Sequence, residues 1–298
     1  MERIKLFNED NLEVMKRLPD ESIDVICIDP PYLYLKNQKL ERPFDEHKFF
    51  SECRRLLTQN GFIVMFGRGE SFYRWNTILS ELKFTFKEEI VWDKSNITSP
   101  LMNISRVHES ISIFCKGNIQ INKVKVNYLE MKSHNVESII QDLKRFRSVF
   151  SNAKNMIAVL DFIENGFARK DFKDREVNKF NLHGKMKDGD RCVTAINSFE
   201  NGLNEKTIIK QVRDHYSAIH PTQKPVRLLE RLLALVIPES KPREKIVVAD
   251  FFGGSMSCME AVHNMGMKGI ACEIDQEYFE KGKERINKLQ PLQPELFR

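Results

Sequence analysis

Asp29-Pro30-Pro31-Tyr32 follows directly on an almost wholly apolar run, residues 23–28. In an open α/β sheet, ligands bind beyond the carboxyl ends of the strands, so a carboxylate here stands where chemistry is done. The four residue types suit one task. The amino group of a nucleobase is a weak nucleophile because its lone pair is delocalised into the ring. The Asp29 carboxylate and the Pro30 carbonyl could each accept one of its N–H bonds, hold it, and favour a pyramidal nitrogen whose lone pair faces an electrophile. Pro31 restrains the chain after that carbonyl, and Pro30 brings no competing N–H. Tyr32 offers a face on which a base taken out of a duplex can stack. A strand-end turn that is merely rigid would use the same prolines, and the tetrapeptide alone does not separate the two.

Two further groups of residues carry a second kind of chemistry. Asp250-Phe251-Phe252-Gly253-Gly254-Ser255-Met256-Ser257 lies at another strand-to-helix junction. Paired glycines let the backbone approach a ligand closely, and the helix that follows offers free N–H groups. Glu273 ends the next strand about twenty residues later, where a carboxylate can hold ribose hydroxyls. Without the third glycine of the dinucleotide fingerprint, a nucleoside cofactor fits better than a pyrophosphate. His220-Pro221-Thr222-Gln223-Lys224-Pro225 precedes a helix. Thr222, Gln223 and Lys224 set a hydroxyl, an amide and a cation near its N-terminus, a combination suited to an amino-acid carboxylate. A helix cap with a solvent-facing lysine would look the same.

The elements that position these groups are readable from periodicity. Asp10 can cap a helix reaching about residue 18, stopped by Pro19-Asp20. Residues 23–28 and 62–66 read as buried parallel strands, with a helix over 49–57 and a turn at Asn60-Gly61 between them. Residues 89–92 and 111–115 add two β-rich runs. After residue 118 the character changes: Val136, Ile139, Ile140, Leu143, Phe146, Val149 and Phe150 follow helical spacing, and 169–191 reads as charged loops. Alternation then returns, with a helix after Pro225, a strand over 246–250, a helix over 257–265, a strand over 269–273 and a helix over 278–289. The expected fold is α/β: one mostly parallel, doubly wound sheet assembled from residues 1–117 and 216–298, with 118–215 as an insert.

Composition sets the outer limits. The chain has 298 residues, 41% hydrophobic and 30% charged, with a net charge of +5. No run reaches the ~20 apolar residues that span a bilayer, and the N-terminus lacks a signal core, so a cytoplasmic protein with no membrane association is expected. The six cysteines are scattered without ligand spacing, so no metal is expected and all are read as reduced. Residues 118–191 hold fifteen Lys/Arg against ten Asp/Glu, which suits a polyanion partner as well as a solvated surface.

Taken together, these residues resemble the amino DNA methyltransferases, a Rossmann-like class dependent on S-adenosylmethionine. Asp29-Pro30-Pro31-Tyr32 matches that family's catalytic D-P-P-Y motif, used by adenine-N6 enzymes. Asp250, Phe252, Gly254 and Ser255 match its D-P-F-x-G-S-G-T cofactor loop, while Phe251 replaces the usual proline and Met256 the last glycine. By this resemblance Glu273 holds the cofactor ribose, Asp10 faces its adenine, and His220, Thr222, Gln223 and Lys224 serve its methionine end. The order, catalytic motif first and cofactor motifs last, resembles the circularly permuted β-type, whose insert is a target recognition domain. The resemblance implies site-specific methylation of adenine N6 in double-stranded DNA; cytosine N4 is the rival target and a non-catalytic DNA- or partner-binding protein the rival class. Lys36, Lys39 and Arg42, in a polar segment beside the site, are expected to meet DNA phosphates. The resemblance further suggests a homodimer and a cognate restriction endonuclease as candidate partners.

Overall fold

The computed structural model describes residues 3–32, 42–96, 103–132, 135, 137–139, 141–142, 197–213 and 218–290. In chain order the elements are β1 (Ile4–Phe7), α1 (Asn11–Lys16), β2 (Ile23–Ile28), α2 (Glu46–Leu56), β3 (Leu57–Gly67), α3 (Gly69–Glu81), β4 (Thr85–Asp93) and β5 (His108–Cys115). Next come β6 (Lys125–Val126), α4 (Tyr128–Lys132) and β7 (Leu203–Asn204). The chain continues with β8 (Ile208–Lys210), α5 (Val226–Val236), β9 (Val247–Asp250), α6 (Ser257–Asn264), β10 (Lys268–Cys272) and α7 (Gln276–Asn287).

Eight strands form one sheet in the order β1-β10-β9-β2-β3-β5-β4-β8. All pair in parallel except β5, which runs antiparallel to β3 and β4. From β2 the chain winds through α2 to β3, away from β9; from β9 it winds through α6 to β10, away from β2. The boundary between β9 and β2 is therefore the switch point of a doubly wound sheet, where a crevice opens at the carboxyl ends of the strands. β2 is buried at every position, as a central parallel strand must be.

Local chemistry sets the element ends. Asp10 caps α1 through its Oδ1, which accepts the amides of Leu12 at 2.9 Å and Glu13 at 3.4 Å. Asp45 and Asp275 cap α2 and α7 in the same way. The turn expected at Asn60-Gly61 is instead an irregularity inside β3. The register jumps from Ile23 opposite Leu57 to Val25 opposite Phe62, so residues 58–61 bulge without breaking the strand. In the first half of the large sheet, β1 and α3 escape the sequence reading, as do the short elements β6, α4, β7 and β8 later in the chain. β1 is a short edge strand, and α3 buries Phe72, Trp75, Ile78 and Leu79, a helical spacing present in the sequence. The charged neighbours of that spacing, and the glycine at its start, obscure it.

The chain divides into two compact units, Met1–Asn122 with Lys206–Arg298, and Lys123–Glu205. The insert expected over 118–215 is thus narrower here. β8 joins the large sheet by pairing with β4, burying Ile209 and leaving Ile208 exposed. Trp92 Nε1 donates to the Gln211 carbonyl at 2.7 Å, extending that attachment. In the second unit β6 pairs antiparallel with β7, and the Tyr128 hydroxyl donates to Asp142 at 2.7 Å. Most of the helix expected over 136–150, and the loops over 169–191, lie outside the described residues.

Five of the cysteines are free and buried, and Cys192 lies outside the described residues. Among the described residues no group of side chains could hold a metal ion, and no helix is long and apolar enough to cross a membrane.

Phe49 is the packing centre of the wall behind the crevice. Its ring lies 5.1 to 6.2 Å from those of Phe44, Phe50, Phe251 and Phe252, and it is wholly buried. Phe49→Ala should cost about 3–5 kcal/mol in urea unfolding; a loss under ~1 kcal/mol would show that these rings re-pack without it.

Candidate active site

The carboxyl ends of β2, β9 and β10 deliver the three sequence motifs to one cavity of about 240 Å³. Asp29, Pro30, Pro31 and Tyr32 line one side of it. Asp250, Phe252, Gly254, Ser255 and Glu273 line another, with Asp10, His220, Thr222, Gln223 and Lys224 completing the wall. Every candidate catalytic and cofactor residue of the sequence therefore meets at the switch point. Lys36 and Lys39 lie outside the described residues. Arg42 lines the same cavity, and its guanidinium stands 3.7 Å from Asp275.

Asp29 is held from two directions. The Tyr32 hydroxyl donates to Oδ1 at 2.6 Å, and the Lys224 ammonium donates to Oδ2. The Tyr32 carbonyl in turn accepts the Ser71 hydroxyl at 2.6 Å, which fixes the tetrapeptide to the start of α3. Lys224 reaches a second carboxylate, Glu109 Oε2, at 3.2 Å. Glu109 Oε1 meets Lys94 at 2.5 Å. Two carboxylates and two ammonium groups thus form one buried, charge-balanced chain across β2, β5, the end of β4 and the segment before α5.

Burial and charge compete along this chain. Burial raises the Asp29 carboxyl above its ordinary value, Glu109 adds to this, and Lys224 works against it. For Glu109 the upward push of burial is overcome by Lys224 and Lys94, which hold it down at about 2. Burial alone would lower Lys224, yet its two carboxylates hold it above the usual lysine range. Burial and the Lys224 charge push His220 down to about 4, so its ring is neutral near pH 7.

The solvent-facing lysine of the helix-cap reading is excluded: Lys224 is buried, and its ammonium pairs with Asp29 and Glu109. The segments 89–94 and 106–109 resemble family segments that follow the catalytic strand, but the sequence assigns no role to Lys94 or Glu109; the pairing of β4 with β5 brings the two together.

The cofactor loop is shaped from behind. Gly254 has φ +48° and Met256 φ +58°, both left-handed. A side chain is costly in that conformation, and Met256 takes the position where the family motif has glycine. Its side chain is wholly buried and fills space left by two glycines. A Cβ on Gly282 of α7 would sit 2.5 Å from Met256 Cγ, and one on Gly253 would sit 2.8 Å from its sulfur. Arg285, one turn along from Gly282, donates to the Ser255 carbonyl at 3.3 Å and the Ser257 hydroxyl at 3.0 Å. Phe251 is buried against Phe49, so the second departure from the motif is absorbed by the core. Glu273 accepts the Gly254 amide at 2.8 Å and the Asp275 amide at 2.8 Å. A carboxylate has about four acceptor positions, so these two bonds orient it and leave capacity for hydroxyl donors.

A mostly parallel sheet with a nucleoside-type cradle at its switch point, facing a carboxylate–proline turn, defines a Rossmann-like transferase site. The sequence profile of the DNA methylases matches residues 23–284, and the chain belongs to that family. Type II methyltransferase M.HinfI of Haemophilus influenzae is 25% identical over 309 residues, covering 95% of this chain and 68% of that one. DNA adenine methyltransferase YhdJ of Escherichia coli K12 is 25% identical over 292 residues, covering 95% and 82%. Among solved structures, the M1.HpyAVI complex with S-adenosylmethionine aligns with a TM-score of 0.54 at 19% identity, over 95% of this chain and 99% of that one. The cytosine-N4-specific PvuII DNA methyltransferase aligns with a TM-score of 0.59 at 14% identity, over 97% and 89%. These two share the fold.

Gly282→Ala would normally stabilise a helix by about 1 kcal/mol. Here it should destabilise by about 1–3 kcal/mol through the contact with Met256, and Met256→Gly should weaken that penalty in the double variant. Urea unfolding of the three proteins measures this, and a stabilising Gly282→Ala would contradict it. Asp250 supplies a pH dependence. Burial raises its carboxyl to about 7, while its Oδ1 accepts the Phe252 amide at 3.0 Å. The unfolded chain ionises this group from about pH 4 and the folded chain only near 7, so it removes stability as pH rises through that window. Asp250→Asn should make the decline between pH 4 and 7 shallower; an unchanged slope in unfolding experiments would refute this.

Proposed function

We propose that the protein transfers a methyl group from S-adenosylmethionine to the N6 amine of an adenine flipped out of double-stranded DNA. The observation that carries this reading is the position of Asp29-Pro30-Pro31-Tyr32, across one cavity from the Gly253-Gly254 loop and Glu273. Membership of the DNA methylase family and similarity to a relative named as an adenine methyltransferase support it.

The residues fit the cofactor class. Gly254 lines the cavity in a left-handed conformation that favours glycine, with its bare Cα facing the His220 ring. Glu273 has acceptors for ribose hydroxyls, and neutral His220 with Thr222 and Gln223 forms the wall assigned to the methionine end. Bound S-adenosylmethionine brings a sulfonium methyl already activated towards nucleophiles. The work of the chain is then positioning. Asp29 and the Pro30 carbonyl hold the two N–H bonds of the amine, Tyr32 supports the base, and the buried site keeps water from the reacting atoms. Tyr32 donates to Asp29 in the free site, so the arriving base takes over a carboxylate that is already oriented. The unit Lys123–Glu205 is assigned to target recognition, and Lys36, Lys39 and Arg42 to phosphates beside the flipped base.

Asp29→Ala should lower methyl transfer more than ~10²-fold while calorimetry shows S-adenosylmethionine still bound. Tritiated-methyl transfer to duplex DNA, followed by nucleoside analysis, should yield N6-methyladenine. Near-normal turnover in the variant, or N4-methylcytosine as product, would sink the assignment.

A further inference from the structure

Lys224 belongs by motif to the cofactor wall, but its surroundings belong to Asp29. The side chain is only 8% exposed. Its ammonium donates to Asp29 Oδ2 and, at 3.5 Å, to the Thr222 carbonyl, and stands 3.2 Å from Glu109 Oε2 as an ion pair. The Phe66 ring closes the remaining side, its centroid 5.0 Å away. Its charge is therefore already met by two carboxylates. Without Lys224, the Asp29 and Glu109 carboxylates would share a pocket poor in water, and one of them would take up a proton.

We propose that Lys224 is a positioning residue for Asp29, set in place by Glu109 with Lys94 behind it, and that this chain keeps the Asp29 carboxylate charged and turned towards the target amine. The role rests on Asp29 being the amine acceptor. A protonated Asp29 would present an O–H donor where the amine also presents donors, so catalysis requires the charged form. Glu109 has two opposing effects. It anchors Lys224, and its charge raises Asp29 directly, so its value to Asp29 depends on the lysine between them. The groups facing Asp29 are the Tyr32 hydroxyl from its own turn, Lys224, Glu109 from β5 and Asp250 from β9. Lys94 and, through it, Arg213 act on the far end of the chain, and His220 flanks Lys224.

The test is carboxyl carbon-13 NMR titration of Asp29 in the full-length free protein, with kcat against pH at saturating cofactor and DNA. Lys224→Met should raise the Asp29 titration by about one pH unit or more and move the acid limb of kcat with it. Transfer near pH 7 should then fall about tenfold or more and recover as pH rises. Adding Glu109→Gln should move both back, because the remaining charges of Asp29 and Lys94 balance. A merely structural lysine would not be rescued by losing its partner. Glu109→Gln alone should lower the Asp29 titration, which keeps the test decisive if Lys224→Met does not fold. An unmoved titration in these variants overturns the proposal. So does a tenfold weaker S-adenosylmethionine affinity by calorimetry with kcat unchanged, which would return Lys224 to the cofactor and leave the Asp29 assignment standing. The Asp29→Ala variant reports on that assignment separately.

Discussion

An ammonium group removed from water is stable only where negative charge meets it. Lys224 meets it twice, at Asp29 and Glu109. Removing one partner from such a buried pair typically costs several kcal/mol, because the other charge is left stranded. Three distant segments are thereby committed to one arrangement: the turn after β2, the antiparallel strand β5, and the loop before α5. The pairing of β4 with β5 then carries Lys94 to the far side of Glu109, so that the chain of charges closes at zero net charge. A site built this way sets a cation against a buried carboxylate, opposing the upward push that burial gives it.

The cofactor side solves a different problem, which is backbone shape. The loop after β9 turns through left-handed conformations at Gly254 and Met256, and glycine does this without strain. At position 256 the chain uses methionine, and the strain is offset by burying a flexible thioether in a slot that Gly282 and Gly253 leave open. Arg285 grips the same loop through Ser255 and Ser257. The departure from the family pattern is therefore a matched set spread over two elements, and the loop conformation survives it.

Both sides depend on the sheet's winding. Because β2 and β9 are neighbours that lead away from each other, their carboxyl ends open a crevice without any loop having to cross it. That the catalytic strand comes early in the chain and the cofactor strand late is immaterial to the crevice. The permuted order leaves the connection between the two halves free to carry a second unit, Lys123–Glu205.

Much was legible from residue types alone. The buried strand before Asp29, the paired glycines after β9, the acidic end of β10 and the proline-led helix α5 are each local patterns, dictated by burial and backbone geometry within a few residues. Their meeting in one cavity followed from motif order. The tertiary structure decided what local pattern could not. β8 joins the main sheet because three residues find a partner in β4, and residues 58–61 bulge because β3 must follow the register of β2. Above all, the structure decided the allegiance of Lys224. A lysine beside a helix start reads the same whether it faces solvent, a ligand carboxylate or a buried aspartate. Only the approach of Glu109, 115 residues away, and Asp29, 195 residues away, determines which. Sequence by itself determined that Asp29 sits in a strand-end turn suited to an amine; the fold decided which charges keep it there, because electrostatic partners are chosen by distance in space.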